Sequence, residues 1–283
     1  MSNIQQLHKG TGWHPDPVDE RDKTRLIEIP TDLPKSVDLR AWFSPIEDQG
    51  KINSCTAHAA IALVEYFQQR AFGKYLDASR LFLYKVTRNL LQWTGDKGAY
   101  SRTTMKALAI FGVPPEEFWS YDEAKIDEEP PAFCYALANR YRAIEYYRLD
   151  KKGITRDVLL QQIKATLAAN RPLMFGCILH DGCSLQAKAT GKVPIPSDSD
   201  TQGLGHNMAA VGYDDDIKIK NTDPTGIETT GALLIRNSWS TEWGENGYGW
   251  LPYEYVLRPL SMDWWTMIKQ EWLDTGEFEP QHK

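Results

Sequence analysis

Residues 54–67 read SCTAHAAIALVEYF and decide the fold, because they predict one helix that is apolar on nearly every face. A helix of this kind is buried inside a protein instead of lying half-exposed at its surface. Ser54 is a favourable N-cap residue. Gly73 follows the apolar pattern, so the pattern predicts a helix over 54–71.

The remaining patterns divide the chain into a helical first half and a strand-rich second half. Helical spacing predicts three more helices, over 79–90, 103–111 and 156–169. Short apolar runs bounded by Gly, Pro, Ser and Asp predict strands over 173–179, 208–213 and 232–236. Helices followed by strands predict an α+β fold with two lobes, a helical one over about 50–145 and a β-rich one over about 146–283.

The first 33 residues are expected to form a separate N-terminal extension. They are polar, with a charged stretch over 19–23 and the turn-forming sequence GWHPDP at 12–17. Only residues 26–29 form a short strand-like run. Because residues 1–33 lack the periodicity of a core element, we expect them to extend along the surface of a domain over 34–283.

Composition and charge exclude several classes of protein. The 283 residues carry 32 Lys and Arg against 38 Asp and Glu, a net charge of −6, which disfavours nucleic acid and anionic membranes as partners. No apolar run approaches the roughly 20 residues of a membrane span, and residues 1–10 lack the apolar core of a signal peptide. The four cysteines are too few for a disulfide scaffold. We therefore expect a cytoplasmic protein, or one exported without a classical signal peptide.

Three residues could together carry nucleophilic chemistry. Cys55 begins the apolar helix, where unpaired N–H groups favour a thiolate and lower the pKa of the thiol. His206 precedes an apolar strand, and Asn237 follows another. Each alone is compatible with a purely structural role. A thiol nucleophile, however, needs a base, and the base needs an orienting partner. The order Cys, His, Asn, with separations of 151 and 31 residues, fits that requirement.

Four stretches around these residues resemble the papain-like cysteine peptidases. The resemblance covers residues 33 to about 258. The stretches are 33–40 (LPKSVDLR, like the start of the mature enzymes), 48–55 (DQGKINSC, like the box that holds the nucleophile), 205–213 (GHNMAAVGY, like the histidine strand) and 237–248 (NSWSTEWGENGY, like the asparagine box).

The resemblance implies a papain-like fold, with the active site in the cleft between a helical N-terminal lobe and an antiparallel β-rich C-terminal lobe. It implies hydrolysis of peptide bonds in peptides or proteins through a Cys55 thioester, without a metal or another cofactor. His206 would act as acid and base, Asn237 would orient it, and Gln49 would stabilise the oxyanion with the Cys55 N–H. The substrate-binding residues expected from the family are Asn53, Ser54, Gly98, Gly205 and Trp239, of which Trp239 would also cover the histidine.

The sequence departs from the family around the nucleophile. Ile52, Asn53 and Thr56 replace the usual cysteine, glycine and tryptophan, so that one family disulfide cannot form and Asn53 would narrow the rim of the cleft. Only about 33 residues precede the mature-like start, instead of a long helical propeptide. Residues 1–33 are therefore either an arm that crosses the cleft and inhibits the enzyme, or a plain surface extension.

Other functions remain open from the sequence. The same thioester could serve an acyl transferase or a peptide-modifying enzyme, and a papain-shaped binding module without activity is a third alternative. The metal-like spacing of Cys177, His180 and Cys183 and the acidic run 214–216 are interpreted as structural, because neither has the ligand pattern of a zinc or calcium site. Three of the ten tryptophans cluster near the C-terminus without an explanation from the family pattern; they are Trp264, Trp265 and Trp272.

Overall fold

The central helix runs over Cys55–Phe72 in the computed structural model, which describes residues 9–141, 144–200, 203–275 and 277–278. Every residue from Cys55 to Phe67 is buried. Gly73 ends the helix in the left-handed conformation with φ of 67°, as a C-terminal glycine commonly does. Ser54 precedes the helix, but the prediction that its side chain caps the helix is wrong, because its hydroxyl contacts the Tyr121 hydroxyl at 2.7 Å instead.

The three further helices predicted from the sequence are confirmed, with bounds shifted by at most two residues. In two of them a hydroxyl at the N-cap position accepts a backbone hydrogen bond, Ser79 from Phe82 and Thr155 from Val158. No helix in the described parts of the chain is long and apolar enough to cross a membrane. In chain order the other helices are Arg80–Leu91, Ser101–Phe111, Ala132–Ala138, Arg156–Ala168, Asp181–Thr190, Glu254–Leu257 and Gln270–Leu273.

A seven-stranded antiparallel sheet forms the second lobe and confirms the α+β fold. The three predicted strands are present and longer than predicted, most of all the one predicted at 208–213, which spans Gly203–Lys220. In spatial order the main path of the sheet is Glu145–Arg148, Ser261–Ile268, Leu173–His180, Gly203–Lys220, Glu228–Arg236 and Tyr248–Pro252, with Ser36–Asp38 also paired to Gly203–Lys220.

Contacts between the lobes place the first turn of the central helix beside the sheet. Helix Cys55–Phe72 packs against strand Gly203–Lys220 and touches strand Leu173–His180. Two of the unexplained tryptophans stack within the core: Trp264 on Phe175 with ring centroids 4.2 Å apart, and Trp272 on Phe67 at 5.0 Å. These two tryptophans are therefore explained by core packing.

Residues 9–33 of the N-terminal extension are docked along the body, although not as predicted, and residues 1–8 lie outside the described part of the chain. Residues 26–29 form no strand, because the backbone N–H and C=O of Ile27 pair with the side-chain amide of Gln162, both at 2.9 Å. A two-residue strand, Trp13–His14, lies earlier and pairs in parallel with Ala99–Tyr100 of the helical lobe. This pairing brings the extension to the cleft.

Candidate active site

Cys55 lies at the floor of the cleft as the first residue of the central helix. Its side chain is fully buried, and backbone N–H groups of Thr56, Trp13 and Asn207 face its sulfur. Thr56 belongs to the helix, Asn207 to the sheet and Trp13 to the N-terminal extension. The thiol therefore lies where three separate parts of the chain meet.

His206 and Asn237 are joined by a hydrogen bond of 2.8 Å between the histidine Nε2 and the amide Oδ1. His206 lies on strand Gly203–Lys220, and Asn237 directly follows strand Glu228–Arg236. The Asn237 oxygen also accepts the backbone N–H of Ser238 at 2.8 Å, which fixes the amide as an acceptor. The histidine Nε2 is then the N–H donor, and its Nδ1, which has no partner in the described part of the chain, keeps a free lone pair.

Trp239 covers this pair. Its indole lies over the His206 ring with a centroid distance of 4.5 Å and an angle of 31° between the rings. Its Nε1 donates to the Gly10 carbonyl of the extension at 3.0 Å. The indole is 2% exposed, so it excludes water from the hydrogen bond between His206 and Asn237.

Gln49 is held in place by three contacts. Its backbone N–H donates to the Ser238 carbonyl at 2.9 Å, its Oε1 accepts the Ser238 hydroxyl at 2.5 Å, and its Nε2 donates to the Ile52 carbonyl at 2.9 Å. One Nε2 hydrogen is used by Ile52, and an amide carries two. The side chain is therefore rigid and retains one donor hydrogen.

Burial reverses the pKa expected for the thiol from its helix position. It raises the pKa of Cys55 to about 12, although the three facing N–H groups and the N–H of Cys55 itself lower it. Burial likewise lowers the pKa of His206 to about 4, against the opposing effect of its bond to Asn237. The prediction of a thiolate is wrong for this arrangement, because desolvation disfavours both charged forms more than the helix terminus favours the thiolate.

The covering segment consists of residues 9–13 and is called the arm segment below. Lys9 forms an ion pair of 2.5 Å with Asp48, and Gly10 donates its N–H to the Gly50 carbonyl at 2.9 Å. The backbone of Gly12 then bridges the two walls of the cleft. Its N–H donates to Gly205 at 3.0 Å, and its carbonyl accepts from Ala99 at 2.9 Å.

The sequence-predicted substrate-binding residues are not all brought to the arm segment. Gly205 and Trp239 bond to it as described, and Asn53 accepts the Thr11 N–H on its Oδ1 at 3.0 Å. Gly98 lies against the carbonyl of Gly12. Ser54, in contrast, turns its hydroxyl into the helical lobe.

A buried charged cluster, not predicted from the sequence, fastens the extension beyond the arm segment. Asp16 accepts the backbone N–H of Arg102 at 3.1 Å and the Trp265 indole N–H at 2.8 Å, which explains the third tryptophan. Asp22 bridges Arg102 at 2.6 Å and Arg148 at 3.0 Å. The only sequence feature that could have indicated this cluster is the pair of acids at 16 and 22 near a turn. Such acids are common on protein surfaces, so the feature is not specific.

The cysteines and acids with metal-like spacing occupy structural positions. Cys177 is buried on its strand opposite His206, and the sulfur of Cys183 donates to Asp200 at 3.8 Å. Asp215 pairs with Lys164 at 2.6 Å. Among the described residues, no group of three or more acids, histidines or cysteines is placed to hold a metal ion.

A helical lobe and an antiparallel lobe that meet at a buried cysteine and a histidine are the architecture of the papain-fold thiol enzymes. Residues 33–255 match the papain family cysteine protease domain, and the chain belongs to this family.

Its similarity to individual proteins extends over nearly the whole chain. It is 33% identical to an uncharacterized peptidase C1-like protein of Acanthamoeba polyphaga mimivirus over 91% of this chain and 80% of that protein. Xylellain, a cysteine protease from Xylella fastidiosa, superposes with a TM-score of 0.79 at 31% identity, covering 93% of this chain and 97% of that one. Chymopapain of Carica papaya is 26% identical over 77% of this chain, which spans 54% of chymopapain's length.

Proposed function

We propose that this cysteine protease hydrolyses peptide bonds with Cys55 as nucleophile, His206 as acid and base, and Asn237 as the residue that orients His206. The observation that carries the proposal is the hydrogen bond of 2.8 Å between His206 Nε2 and Asn237, which leaves Nδ1 free to accept a proton. The family implies peptides or proteins as substrates.

The reaction follows from these positions in two halves. Cys55 transfers its proton to His206 Nδ1, and the sulfur attacks the peptide carbonyl carbon. The negative charge that develops on the carbonyl oxygen is stabilised by the remaining Gln49 N–H and the Cys55 backbone N–H. His206 returns the proton to the departing amine as the C–N bond breaks. Water then attacks the thioester and gives one proton to His206. As the C–S bond breaks, His206 passes this proton to the departing sulfur, so that the carboxylic acid and the Cys55 thiol are released.

We further propose that the N-terminal extension inhibits this reaction within the same molecule. The arm segment occupies the positions over Cys55 that an extended peptide needs, and the Trp13 N–H faces the sulfur. The neutral thiol and imidazole that burial favours are also less reactive than a thiolate and imidazolium pair.

Labelling and hydrolysis together test the proposal. Full-length protein and a Trp13→Ala variant with a loosened arm segment are treated with iodoacetamide, and their hydrolysis of casein is measured. We expect labelling at Cys55 and casein hydrolysis, both faster in the variant. Equal labelling of Cys134, Cys177 and Cys183, without hydrolysis, would contradict the function.

Removing the orienting amide should slow the chemistry more than it affects binding. In the Trp13→Ala background, Asn237→Ala is expected to lower kcat about 100-fold with little change in KM, because the imidazole loses its alignment. The matched control is Asn221→Ala, which removes a buried asparagine bonded to the Ile195 carbonyl at 2.8 Å, away from the cleft. A kcat for Asn237→Ala as high as the control's would contradict the assigned role.

Docking of the extension should weaken as the pH rises from about 4 to 7. Asp263 accepts the backbone N–H of Asp16 at 2.8 Å, so docking brings the two carboxyl groups together. Burial is the largest cause that raises the pKa of Asp16 to about 6 and that of Asp263 to about 7 in the docked state. A released Asp16 returns towards its ordinary value near 3.8, so docking takes up protons and is favoured at low pH. The positive charges of Arg102 and Arg148 lower the pKa of Asp16, and Arg148 also lowers that of Asp263, whereas the negative charge of Asp150 raises the pKa of Asp263.

A fluorescent label on the extension measures this pH dependence without relying on Cys55. Val18 is 86% exposed, so a dye on Val18→Cys in the Cys55→Ser background reports whether the extension is held. We expect its anisotropy to fall from pH 5 to pH 8, and less steeply with Asp16→Asn. Tighter docking at pH 8 would show that the sign is wrong.

A further inference from the structure

Gly12 of the arm segment passes through a channel that is too narrow for a side chain. Its backbone lies between Asn53 and Gly98. A Cβ on Gly12 would lie 2.3 Å from the Asn53 Cβ, and a Cβ on Gly98 would lie 1.9 Å from the Gly12 carbonyl oxygen. Both distances are far inside van der Waals contact. In the backbone conformation of Gly12, whose φ is 107°, the channel between Asn53 and Gly98 therefore leaves no room for a side chain.

The neighbouring slot, in contrast, is shaped for a large ring. The Trp13 indole fills it and is 3% exposed. A Cβ on Gly176 would lie 1.8 Å from the indole Cε2, and one on Gly205 would lie 3.1 Å from the indole Cε3 and 2.2 Å from the Trp13 carbonyl oxygen. The missing side chain at Gly176 makes the room that the indole occupies.

Asn53 is fixed in place and cannot swing out of the channel. Its backbone N–H donates to an Asp96 carboxylate oxygen at 2.8 Å, and its side-chain Nδ2 donates to the Asp96 carbonyl at 3.0 Å. These bonds leave Oδ1 facing the channel, where it accepts the Thr11 N–H at 3.0 Å. A side chain held by its own partners discriminates sterically, because it does not yield to a bulkier ligand.

The direction of a cleavable peptide follows from the atoms that face the sulfur. The extension runs parallel to Ala99–Tyr100 and turns the Trp13 N–H towards Cys55. Attack requires a carbonyl carbon at the sulfur, so a cleavable peptide runs opposite to the arm segment. The residue in the ring-shaped slot then precedes the residue in the narrow channel.

We infer that the cleft selects peptides in which a large aromatic residue is directly followed by glycine, and that it cleaves after the glycine. The inference rests on the proposed peptidase function and adds its substrate class. Gly176 is the residue that sets the size of the aromatic slot, and Asn53 is the residue that demands glycine.

Four fluorogenic peptides with an aminocoumarin leaving group test this inference on the full-length Trp13→Ala variant, in which the slot is emptied. Before the leaving group they carry tryptophan–glycine, valine–glycine, tryptophan–alanine and glycine–tryptophan. We expect kcat/KM for the tryptophan–glycine peptide to exceed that for each of the others at least about tenfold. A single missing or misplaced methylene in a shaped pocket lowers kcat/KM by about this factor. Similar values for all four, or a preference for glycine–tryptophan, would overturn the inference.

Two variants in the same background assign the selectivity to its residues. Gly176→Val is expected to remove the preference for tryptophan over valine, because the valine side chain occupies the slot. Asn53→Gly is expected to raise kcat/KM for the tryptophan–alanine peptide at least about tenfold relative to kcat/KM for the tryptophan–glycine peptide. An unchanged ratio in both variants overturns the assignment. Hydrolysis of casein distinguishes a failure of this inference from a failure of the proposed function. If casein is hydrolysed but the four peptides are cleaved without selectivity, only this inference is overturned. If no substrate is hydrolysed, the proposed function is overturned.

Discussion

Replacing Cys55 with serine is expected to abolish hydrolysis, with kcat/KM lowered by roughly 10⁴-fold or more in the Trp13→Ala background. In the proposed mechanism, the other parts of the site act on a sulfur at this position. In that mechanism, the remaining Gln49 N–H and the free Nδ1 of His206 serve an attack that begins at the Cys55 sulfur. A serine hydroxyl stays protonated at neutral pH, and a base placed for a thiol does not activate it to the same degree.

The matched control is Cys134→Ser, which also changes a buried cysteine. The Cys134 sulfur lies 3.6 Å from the Phe118 carbonyl, in the helical lobe and away from the cleft. Circular dichroism and the melting temperature establish that both variants are folded. Hydrolysis by Cys55→Ser at the rate of Cys134→Ser would show that Cys55 is not the nucleophile.

Much of the fold was predictable from the sequence, because local residue patterns determine the main helices and strands. The central helix is apolar on nearly every face, and Gly73 ends it, so its bounds follow from residues close in sequence. The strand Gly203–Lys220 was predicted too short, because its second half carries 214–216, a run of acids that are rare in strands. Pairing with neighbouring strands outweighs that low propensity.

The position of the arm segment over the site was less predictable from the sequence, because it depends on contacts between residues that are distant in the chain. A sequence pattern shows that Cys55 begins a helix, but the pKa of its thiol depends on Trp13, which is 42 positions earlier. In the same way, nothing near Gly176 indicates that its missing side chain makes room for an indole. The family resemblance aligns residues such as His206 and Asn237, whereas the extension lies outside the matched range.

Trp13→Ala is expected to accelerate the labelling of Cys55 by iodoacetamide about 100-fold in the full-length protein. Replacing a buried Trp by Ala costs about 3–5 kcal/mol. Where that cost falls on the docked state alone, the population with an open cleft rises by roughly two orders of magnitude or more. The lower figure is expected here, because the Asp16 and Asp22 contacts with the body still hold the extension nearby.

The matched control is Trp42→Ala, since Trp42 is 37% exposed and packs on Arg70, away from the arm segment. It should leave the labelling rate unchanged. The labelling rate of Trp13→Phe should lie between the rates of Trp13→Ala and the native protein, because a smaller ring fills part of the slot. If Trp13→Ala and Trp42→Ala are labelled at the same rate, the arm segment does not control access to Cys55. If both labelling and hydrolysis rise together, access to the nucleophile limits activity in the native chain, and release of the extension without cleavage is sufficient to activate it.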